Sequence, residues 1–258
     1  MATKQSPGGV QSVERAFTIL EVITVAGGEM SLSELSHAVD LPLPTIHRLL
    51  RTLVEPGYIR QLPNRSYALG PRLIPLGEAA TRQLGPASRP ILKRLADELG
   101  ESANMAALDS QMIVYIGQVQ SSRSMRMFTE VGRRAYPHAT GVGKAILATM
   151  PNAEVEKIVR ATGMPQPTPK SASTLKELFE RLDVVREQGY AIDDEEQELG
   201  VRCYALAVPG DPTRIGISVS GPSSRVDDAF GEKAVPLLQA AAAEIADEAR
   251  VGGTAASF

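Results

Sequence analysis

The sequence predicts an α+β protein of two domains, and three observations support this prediction. The first 70 residues carry three short helical patterns that run into a small hairpin, which is the order of a winged helix-turn-helix. The rest of the chain mixes strand-like and helical runs, which is typical of an antiparallel sheet flanked by helices. A Gly-Pro pair at 70–71 separates the two regions. We therefore expect a winged helix-turn-helix over residues 10–70, a linker helix over 71–85 and a larger domain over 86–250.

The third helical pattern, within residues 41–59, organises the first domain. Its apolar residues recur at helical spacing and form one stripe, while polar and cationic residues occupy the rest of its surface. Proline is tolerated in a first helical turn but not in an interior, so the helix cannot begin before the two prolines at 42 and 44. Pro56 and Gly57 end it. The stripe consists of Ile46, Leu49, Leu50, Leu53 and Val54.

Two other helices and a hairpin complete this domain. A first helix over residues 12–25 stops at a glycine pair. Ser31 and Glu34 form a capping box, which opens a second helix. Beyond the third helix, two short strand patterns flank the turn formers Pro63 and Asn64. The residues of the first helix expected to face the core are Val13, Ala16, Phe17, Leu20 and Ile23.

Positive charge is concentrated where the third helix and the hairpin lie. Residues 1–70 hold six basic and six acidic residues, but the segment 45–65 holds four arginines against one glutamate. The remaining 188 residues hold 21 basic and 24 acidic residues, so the larger domain has no electrostatic reason to bind nucleic acid. A short cationic helix that leads into a small hairpin is how a winged helix-turn-helix meets a DNA major groove.

Six residues of this helix and hairpin are candidate DNA contacts. Arg48 and Arg51 lie three apart and can reach guanine edges or phosphates, and the hydroxyl of Thr45 suits a phosphate or a base. The alternative is that these arginines are only solvated, but the local excess of positive charge favours DNA. His47 has no second metal ligand at helical spacing, so a surface or phosphate-contacting role is preferred. The set is Pro44, Thr45, His47, Arg48, Arg51 and, at the hairpin tip, Arg65.

The larger domain carries further helices and strands. A linker helix is expected from about Leu76 to Leu84. The last helix, over residues 226–250, contains Gly231 and Pro236, where an interruption is expected. Other helices are predicted over 90–99, 140–150, 153–162 and 175–188, and strands over 102–108, 112–119, 125–130, 190–193, 201–208 and 214–220.

Six runs of sequence, in order, resemble one known family. They are SVERAFTILEVI, LSELSHAVDLPLPTIHRLLRTLVEPGYI, YALGPRLIPLG, PHATGVGKAILA, VREQGYAIDDEEQELGVRCYALAVP and ISVSGPSSR. From about residue 12 to residue 249, the chain is similar to the IclR (isocitrate lyase regulator) family of bacterial transcription factors. The resemblance implies a ligand-responsive regulator, with a GAF- or PAS-like fold in the larger domain. We expect a repressor of catabolic genes.

The resemblance also implies a pocket for a small organic acid, closed by a glycine turn, an acidic loop and a Ser-x-Ser strand. Helix-start amides and serine hydroxyls would hold the carboxylate, and Asp193 would accept a hydrogen bond from the ligand's other end. Family members that bind very small keto acids carry leucine where this chain has Ala135 and Val201, which implies a roomier pocket for an aromatic or sugar-derived acid. The matching positions are Met127, Ala135, Gly141, Val142, Asp193, Val201, Cys203, Ser218 and Ser220.

Three fragments raise an enzymatic alternative. The turn at 140–145 looks like the end of a phosphate loop, but His138 and Ala145 stand where that motif needs glycine and a hydroxyl residue. Cys203 and His138 would be the nucleophile and base of a small-acid hydrolase or transferase, but Cys203 lies in an apolar strand with nothing nearby in sequence to lower its pKa. The acids at 194–196 lack the alternation of a calcium loop, so a solvated loop is expected. We expect no enzymatic activity.

Composition predicts a cytoplasmic protein without a cofactor. No stretch approaches twenty uninterrupted apolar residues, and residues 1–11 lack the apolar core of a signal peptide. A single cysteine excludes an internal disulfide and a zinc site built from paired thiolates.

The expected partners follow from how a recognition helix reads DNA. One helix reads only a few base pairs, so a homodimer on palindromic double-stranded operator DNA is expected, and it would pair again into a homotetramer. A helix-turn-helix adaptor that binds only protein is a second alternative.

Overall fold

A computed structural model of the 258-residue chain describes residues 9–84, 88–123, 131–210 and 214–253. The chain divides after residue 80 into two compact units. The strand predicted over 125–130 and the pocket residue Met127 lie outside the described residues.

The first unit is a helical domain with a small sheet. Its helices are α1 (Gln11–Val25), α2 (Leu32–Ala38), α3 (Leu43–Val54) and the part of α4 (Leu73–Leu84) up to residue 80, and its strands are β1 (Glu29–Met30), β2 (Ile59–Gln61) and β3 (Tyr67–Leu69). The strands pair antiparallel in the order β1-β3-β2, so the predicted hairpin is confirmed and gains a third strand. The two residues of β1 are too few to carry a sequence pattern.

Local signals set the helix ends of this unit. The Ser31 amide donates to Glu34 Oε2 at 2.7 Å and the Glu34 amide donates to Ser31 Oγ at 3.3 Å, which confirms the capping box. α3 begins at Leu43 with Pro44 in its first turn, and it buries Ile46, Leu49 and Leu50. The predicted stripe of α3 therefore forms the core of the unit.

The apolar face of α1 differs from the prediction. Ile19 and Ile23 are fully buried, whereas Val13 and Phe17 are 50% and 59% exposed. The prediction that Val13 and Phe17 face the core is wrong, because α1 has two apolar faces and the core contacts the one that carries Ile19 and Ile23. α4 (Leu73–Leu84) also begins three residues earlier than predicted, with Pro75 in its first turn.

The second unit is one antiparallel sheet between two layers of helices. The strands are β4 (Ser102–Asp109), β5 (Met112–Val119), β6 (Arg134–Ala135), β7 (Ala191–Asp194), β8 (Val201–Ala207) and β9 (Ile215–Pro222). They pair in the order β6-β5-β4-β9-β8-β7. This arrangement confirms the predicted α+β class. The helices are α5 (Ser88–Leu99), α6 (Gly141–Ala148), α7 (Asn152–Thr162), α8 (Leu175–Gln188) and α9 (Asp228–Gly253), with a short 3-10 helix over Pro137–Ala139.

Alternating residues of the sheet face the two helical layers. Tyr204 and Leu206 of β8 pack with α5 and α9, while Ala205 packs with α6, α7 and α8. α9 is not interrupted at Gly231 and Pro236, which corrects the prediction. Gly231 serves packing instead, because a Cβ there would lie 2.4 Å from the Tyr204 ring.

Candidate DNA-binding and effector sites

The exposed face of α3 and the hairpin form one cleft in the first unit. Pro44, His47, Arg48 and Arg51 line it, and Gln61 lines it from the hairpin. Four of the six predicted DNA contacts are thus brought to one surface. Thr45 is half-buried, and its amide donates to the Pro42 carbonyl at 2.8 Å, so its hydroxyl is the group left for a ligand.

The arginines of α3 and of the hairpin are not neutralised by the protein. Within the described residues, no acidic side chain pairs with Arg48, Arg51, Arg60 or Arg65, and no hydrogen bond uses their guanidinium groups. In the second unit, by contrast, arginines such as Arg181, Arg202 and Arg225 form ion pairs with acidic side chains. The cleft therefore presents uncompensated positive charge to an anionic partner.

The hairpin tip is held in one conformation. Arg65 has a positive φ of 66°, which a non-glycine residue adopts rarely. Asn64 donates to Glu29 Oε1 at 2.9 Å and accepts from the Ser66 amide at 3.0 Å, so it ties the tip to β1 as well as making the turn. These contacts position Arg65 away from the core, where it is exposed.

In the second unit, the start of α6 meets the end of β7 and the beginning of β8. Thr140 caps α6 by accepting from the Gly143 amide at 3.1 Å. Gly141 packs so closely against β7 and β8 that a Cβ there would lie 2.5 Å from Cys203 Sγ and 3.4 Å from the Asp193 Cβ. Asp193 and Cys203 are direct cross-strand partners. The structure thus brings three of the predicted pocket residues together.

A buried ionic network lies behind this cluster. Lys144 of α6 donates to the Ile192 carbonyl at 2.7 Å and pairs with Glu196, and Glu196 also pairs with Arg181 of α8. The Glu196 side chain is only 7% exposed, so the predicted solvated loop is wrong at this residue. Periodicity could not show this, because the partners of Glu196 lie on two helices distant in sequence. Asp194, with its side chain 54% exposed, does face solvent.

Among the described residues, no hydrogen bond joins the Cys203 thiol to the His138 ring. Burial raises the pKa of the Cys203 thiol, and the carboxylate of Asp193 raises it further. His138 Nε2 donates to the Pro165 carbonyl at 2.9 Å, and burial lowers the pKa of its ring. A neutral, buried thiol and an engaged imidazole are unsuited to nucleophilic attack.

Two family profiles match this architecture. The profile described as the IclR helix-turn-helix domain matches residues 12–63, and the one described as bacterial transcriptional regulator IclR C-terminal matches residues 79–247. This chain belongs to the IclR family. It is a DNA-binding transcriptional regulator.

Named relatives agree with this assignment. The chain is 36% identical over 249 residues to the transcriptional repressor IclR of Escherichia coli strain K12, covering 93% of this chain and 91% of that protein. It is 32% identical over 230 residues to the HTH-type transcriptional regulator BhcR of Paracoccus denitrificans strain Pd 1222, covering 87% and 82%. A crystal structure of an IclR transcriptional regulator from Alicyclobacillus acidocaldarius superimposes with a TM-score of 0.82 at 26% identity, covering 93% and 98%.

The Ser-x-Ser strand of this IclR-family protein lies on the sheet face that carries Cys203. Ser220 is the cross-strand partner of Cys203, and Ser218 is the partner of both Ala205 and Asn104. Asn104 donates to Ser220 Oγ at 3.0 Å. Sequence reasoning missed Asn104, although polar residues at 102 and 104 of an otherwise apolar strand are a period-2 signal that could have revealed it.

The remaining predicted pocket residues have different positions. Val142 is buried and packs towards Gly216 of β9, so only its backbone amide could meet a ligand. Ala135 is buried on β6, at the opposite edge of the sheet from β7. Val201 is half-buried at the first position of β8.

Neither a metal site nor a membrane span was found in the described part of this regulator. No group of three or more histidine, cysteine or acidic residues there could hold a metal ion. Among the described helices, none combines the length and apolar character that a membrane span needs.

A methyl group at Gly141 should damage the cluster. Gly141→Ala would press against the Cys203 sulfur and lower the free energy of unfolding by about 1–3 kcal/mol, a typical cost of overpacking. The Gly141→Ala, Cys203→Ala double variant should recover most of this loss, because the sulfur that obstructs the methyl is gone. Urea unfolding followed by circular dichroism measures both. A double variant as unstable as the sum of the two single variants would contradict the proposed contact.

The charge of Asp193 should make stability depend on pH. Burial raises the pKa of Asp193 from its ordinary 3.8 to about 7, while Lys144 opposes the rise. An acid with a raised folded-state pKa binds protons better when folded, so its contribution to stability falls as pH rises from about 4 to about 7 and is level above that. Asp193→Asn should therefore flatten the decline in Tm between pH 5 and pH 8. Asp194→Asn, at an exposed neighbour, should keep the wild-type decline, and an unchanged decline in Asp193→Asn would refute the prediction.

Proposed function

We propose that this regulator binds palindromic operator DNA as a homodimer that pairs into a homotetramer, represses catabolic genes, and responds to a small organic acid bound in its second unit. The observation that carries the DNA assignment is the uncompensated charge of Arg48 and Arg51, which line the cleft between α3 and the hairpin. Phosphate neutralisation by such side chains makes affinity fall steeply with salt.

The DNA proposal is tested with the intergenic DNA beside the gene for this protein. Purified protein should bind this DNA at least about a thousandfold more tightly than random DNA of equal length, and both affinities should fall as salt rises. Equal affinity for the two DNAs across the salt range would remove the operator proposal. It would favour the adaptor that binds only protein.

The effector proposal is supported by the chemistry of the sheet face. The buried hydroxyls of Ser218 and Ser220 lie on the same face as Asp193 and Cys203, next to the start of α6, and helix-start amides and hydroxyls suit a carboxylate. A solved IclR homologue from Microbacterium hydrocarbonoxydans, 20% identical with a TM-score of 0.78, is complexed with 4-hydroxybenzoate. We therefore propose an aromatic or sugar-derived acid as effector. Addition of benzoate, 4-hydroxybenzoate or a uronic acid should change operator affinity, and no response to any of them would reject these classes.

The dimer proposal is supported by an apolar surface on the first unit. Val13 and Phe17 of α1 and Leu76 of α4 are each at least half exposed and line one apolar cavity with Leu73 and Leu53. Exposed apolar patches of this kind mark association surfaces, and a palindrome needs a second copy of this chain. Phe17→Asp should shift the molecular mass in sedimentation towards the monomer and weaken operator binding. Glu14→Gln, on the same helix, should change neither.

We also propose that Cys203 is not a nucleophile. Cys203→Ser should leave operator binding intact, and neither form should turn over the acids that alter DNA affinity. Turnover by wild type that is lost in Cys203→Ser would instead support the hydrolase or transferase alternative.

A further inference from the structure

A chain of three side chains crosses the sheet of the second unit. Gln118 Nε2 donates to Asn104 Oδ1 at 3.2 Å, and Asn104 Nδ2 donates to Ser220 Oγ at 3.0 Å. Asn104 and Ser220 are buried, with exposures of 2% and 6%. The three residues lie on the central strands β5, β4 and β9, beside the cluster formed by Gly141, Asp193 and Cys203.

The direction of this chain determines what Ser220 can still do. A hydroxyl has one proton to donate, and its oxygen accepts. Because the Asn104 amide donates to the Ser220 oxygen, the Ser220 proton must point to another acceptor. Among the described residues, the Ser220 hydroxyl has no such acceptor, and the Ser218 hydroxyl makes no hydrogen bond.

Another buried serine of the same unit shows the contrast. The Ser121 hydroxyl donates to the Gly100 carbonyl at 2.7 Å and accepts from the Arg123 amide at 3.2 Å. Its proton and its oxygen therefore both have hydrogen-bond partners within the protein. A buried donor left without a partner is unfavourable, because it has lost its hydrogen bonds to water. The unused donor of Ser220 is therefore a group that a ligand would satisfy.

We propose that Asn104 is a positioning and specificity-determining residue of the effector site, which fixes the Ser220 hydroxyl as a donor and thereby selects a carboxylate over its primary amide. This inference rests on the proposed effector site. A carboxylate presents only acceptors, so both of its oxygens accept from donors such as the Ser220 hydroxyl and a helix-start amide. The matching primary amide presents an NH₂ group at one of these positions and carries no charge. Sites that bury such donors discriminate by about tenfold or more.

The test uses the full chain with three matched pairs of probes. These are benzoate and benzamide, 4-hydroxybenzoate and 4-hydroxybenzamide, and pyruvate and pyruvamide, with Kd measured by calorimetry. Wild type should bind at least one acid at least about tenfold more tightly than its amide. Asn104→Leu and Ser220→Ala should each weaken acid binding about tenfold and reduce the acid-to-amide ratio. The double variant should bind no more weakly than the weaker single variant, because Asn104 acts through Ser220.

Two further variants keep the result decisive. Gln118 is half-buried, and Gln118→Leu removes the donor that holds Asn104 Oδ1. The Asn104 amide is then free to exchange the positions of its oxygen and its NH₂ group, which should also reduce the ratio of acid affinity to amide affinity. Ser121→Ala removes a buried hydroxyl whose hydrogen bonds are internal, so it should leave the ratio unchanged. Circular dichroism checks that each variant is folded.

Four outcomes overturn the inference. If the double variant loses affinity for the acid by the product of the two single-variant fold losses, Asn104 does not act through Ser220. An unchanged ratio in both Asn104→Leu and Gln118→Leu would show that the chain does not set selectivity. Equal affinity of wild type for every acid and its amide would show that the site does not select a carboxylate over a primary amide. If wild type binds operator DNA but none of the six compounds, the proposed effector chemistry fails, and the inference fails with it.

Discussion

Replacing Arg48 and Arg51 together by alanine should lower the affinity for operator DNA by about a hundredfold or more. Each side chain is exposed on α3 and has no acidic partner among the described residues, so its charge is available to DNA. Loss of a base or phosphate contact of this kind costs about 1–3 kcal/mol per arginine. Titration at several salt concentrations should also give a shallower salt dependence, because fewer phosphates are neutralised.

The single variants Arg48→Ala and Arg160→Ala, which lose the same charge, separate contact from net charge. Arg160 lies on α7 in the second unit, with its side chain 69% exposed beside Glu156. Arg160→Ala should leave operator affinity within about twofold of wild type, since this arginine lies outside the helix-turn-helix domain and an exposed ion pair contributes little. If Arg160→Ala weakened binding as much as Arg48→Ala, the assignment of α3 as recognition helix would be wrong.

Lys144→Met should destabilise the second unit by about 3–5 kcal/mol, the usual cost of removing one partner of a buried ion pair. The Lys144 and Glu196 side chains are 3% and 7% exposed, so the substitution leaves a buried carboxylate whose other partner is Arg181, with its side chain 34% exposed. Lys144 also joins α6 to β7 through the Ile192 carbonyl. The response to an acid effector should therefore weaken too. Urea unfolding and effector titration measure the two effects.

The Lys144→Met, Glu196→Gln double variant supplies the matched control. Neutralising both partners leaves no buried carboxylate, and the Arg181 side chain that loses Glu196 is 34% exposed, so part of the lost stability should return. Lys93→Met, which breaks an exposed pair with Asp97, should change stability by less than about 1 kcal/mol. A double variant less stable than Lys144→Met would show that the pair does not act as one electrostatic unit.

Elements whose ends and faces depend on neighbouring residues could be predicted closely. α8 has the predicted bounds Leu175–Gln188, because Thr174 caps its start and Gly189, with φ 82°, ends it. The core stripe of α3 and the capping box at Ser31 are confirmed for the same reason. These signals lie within a few residues of the feature they determine.

Features that depend on distant partners could not be predicted. Pocket residues Gly141, Asp193 and Cys203 were predicted through resemblance to a family, and their mutual contact became visible only in the structure. The burial of Glu196 results from ion pairs with residues of α6 and α8. The exposure of the Phe17 side chain depends on which side of α1 packs against the core.

The sequence by itself determined the class of fold, the order of the elements, the family and the cationic surface of α3, since periodicity, caps and local charge act over a few residues. Only the tertiary structure decided which polar residues meet across the sheet. The hydrogen-bonded chain from Gln118 through Asn104 to Ser220 requires the register of three strands, and β4 and β9 are separated by about a hundred residues of sequence. Strand register is fixed by the packing of the whole sheet, so no local pattern encodes it.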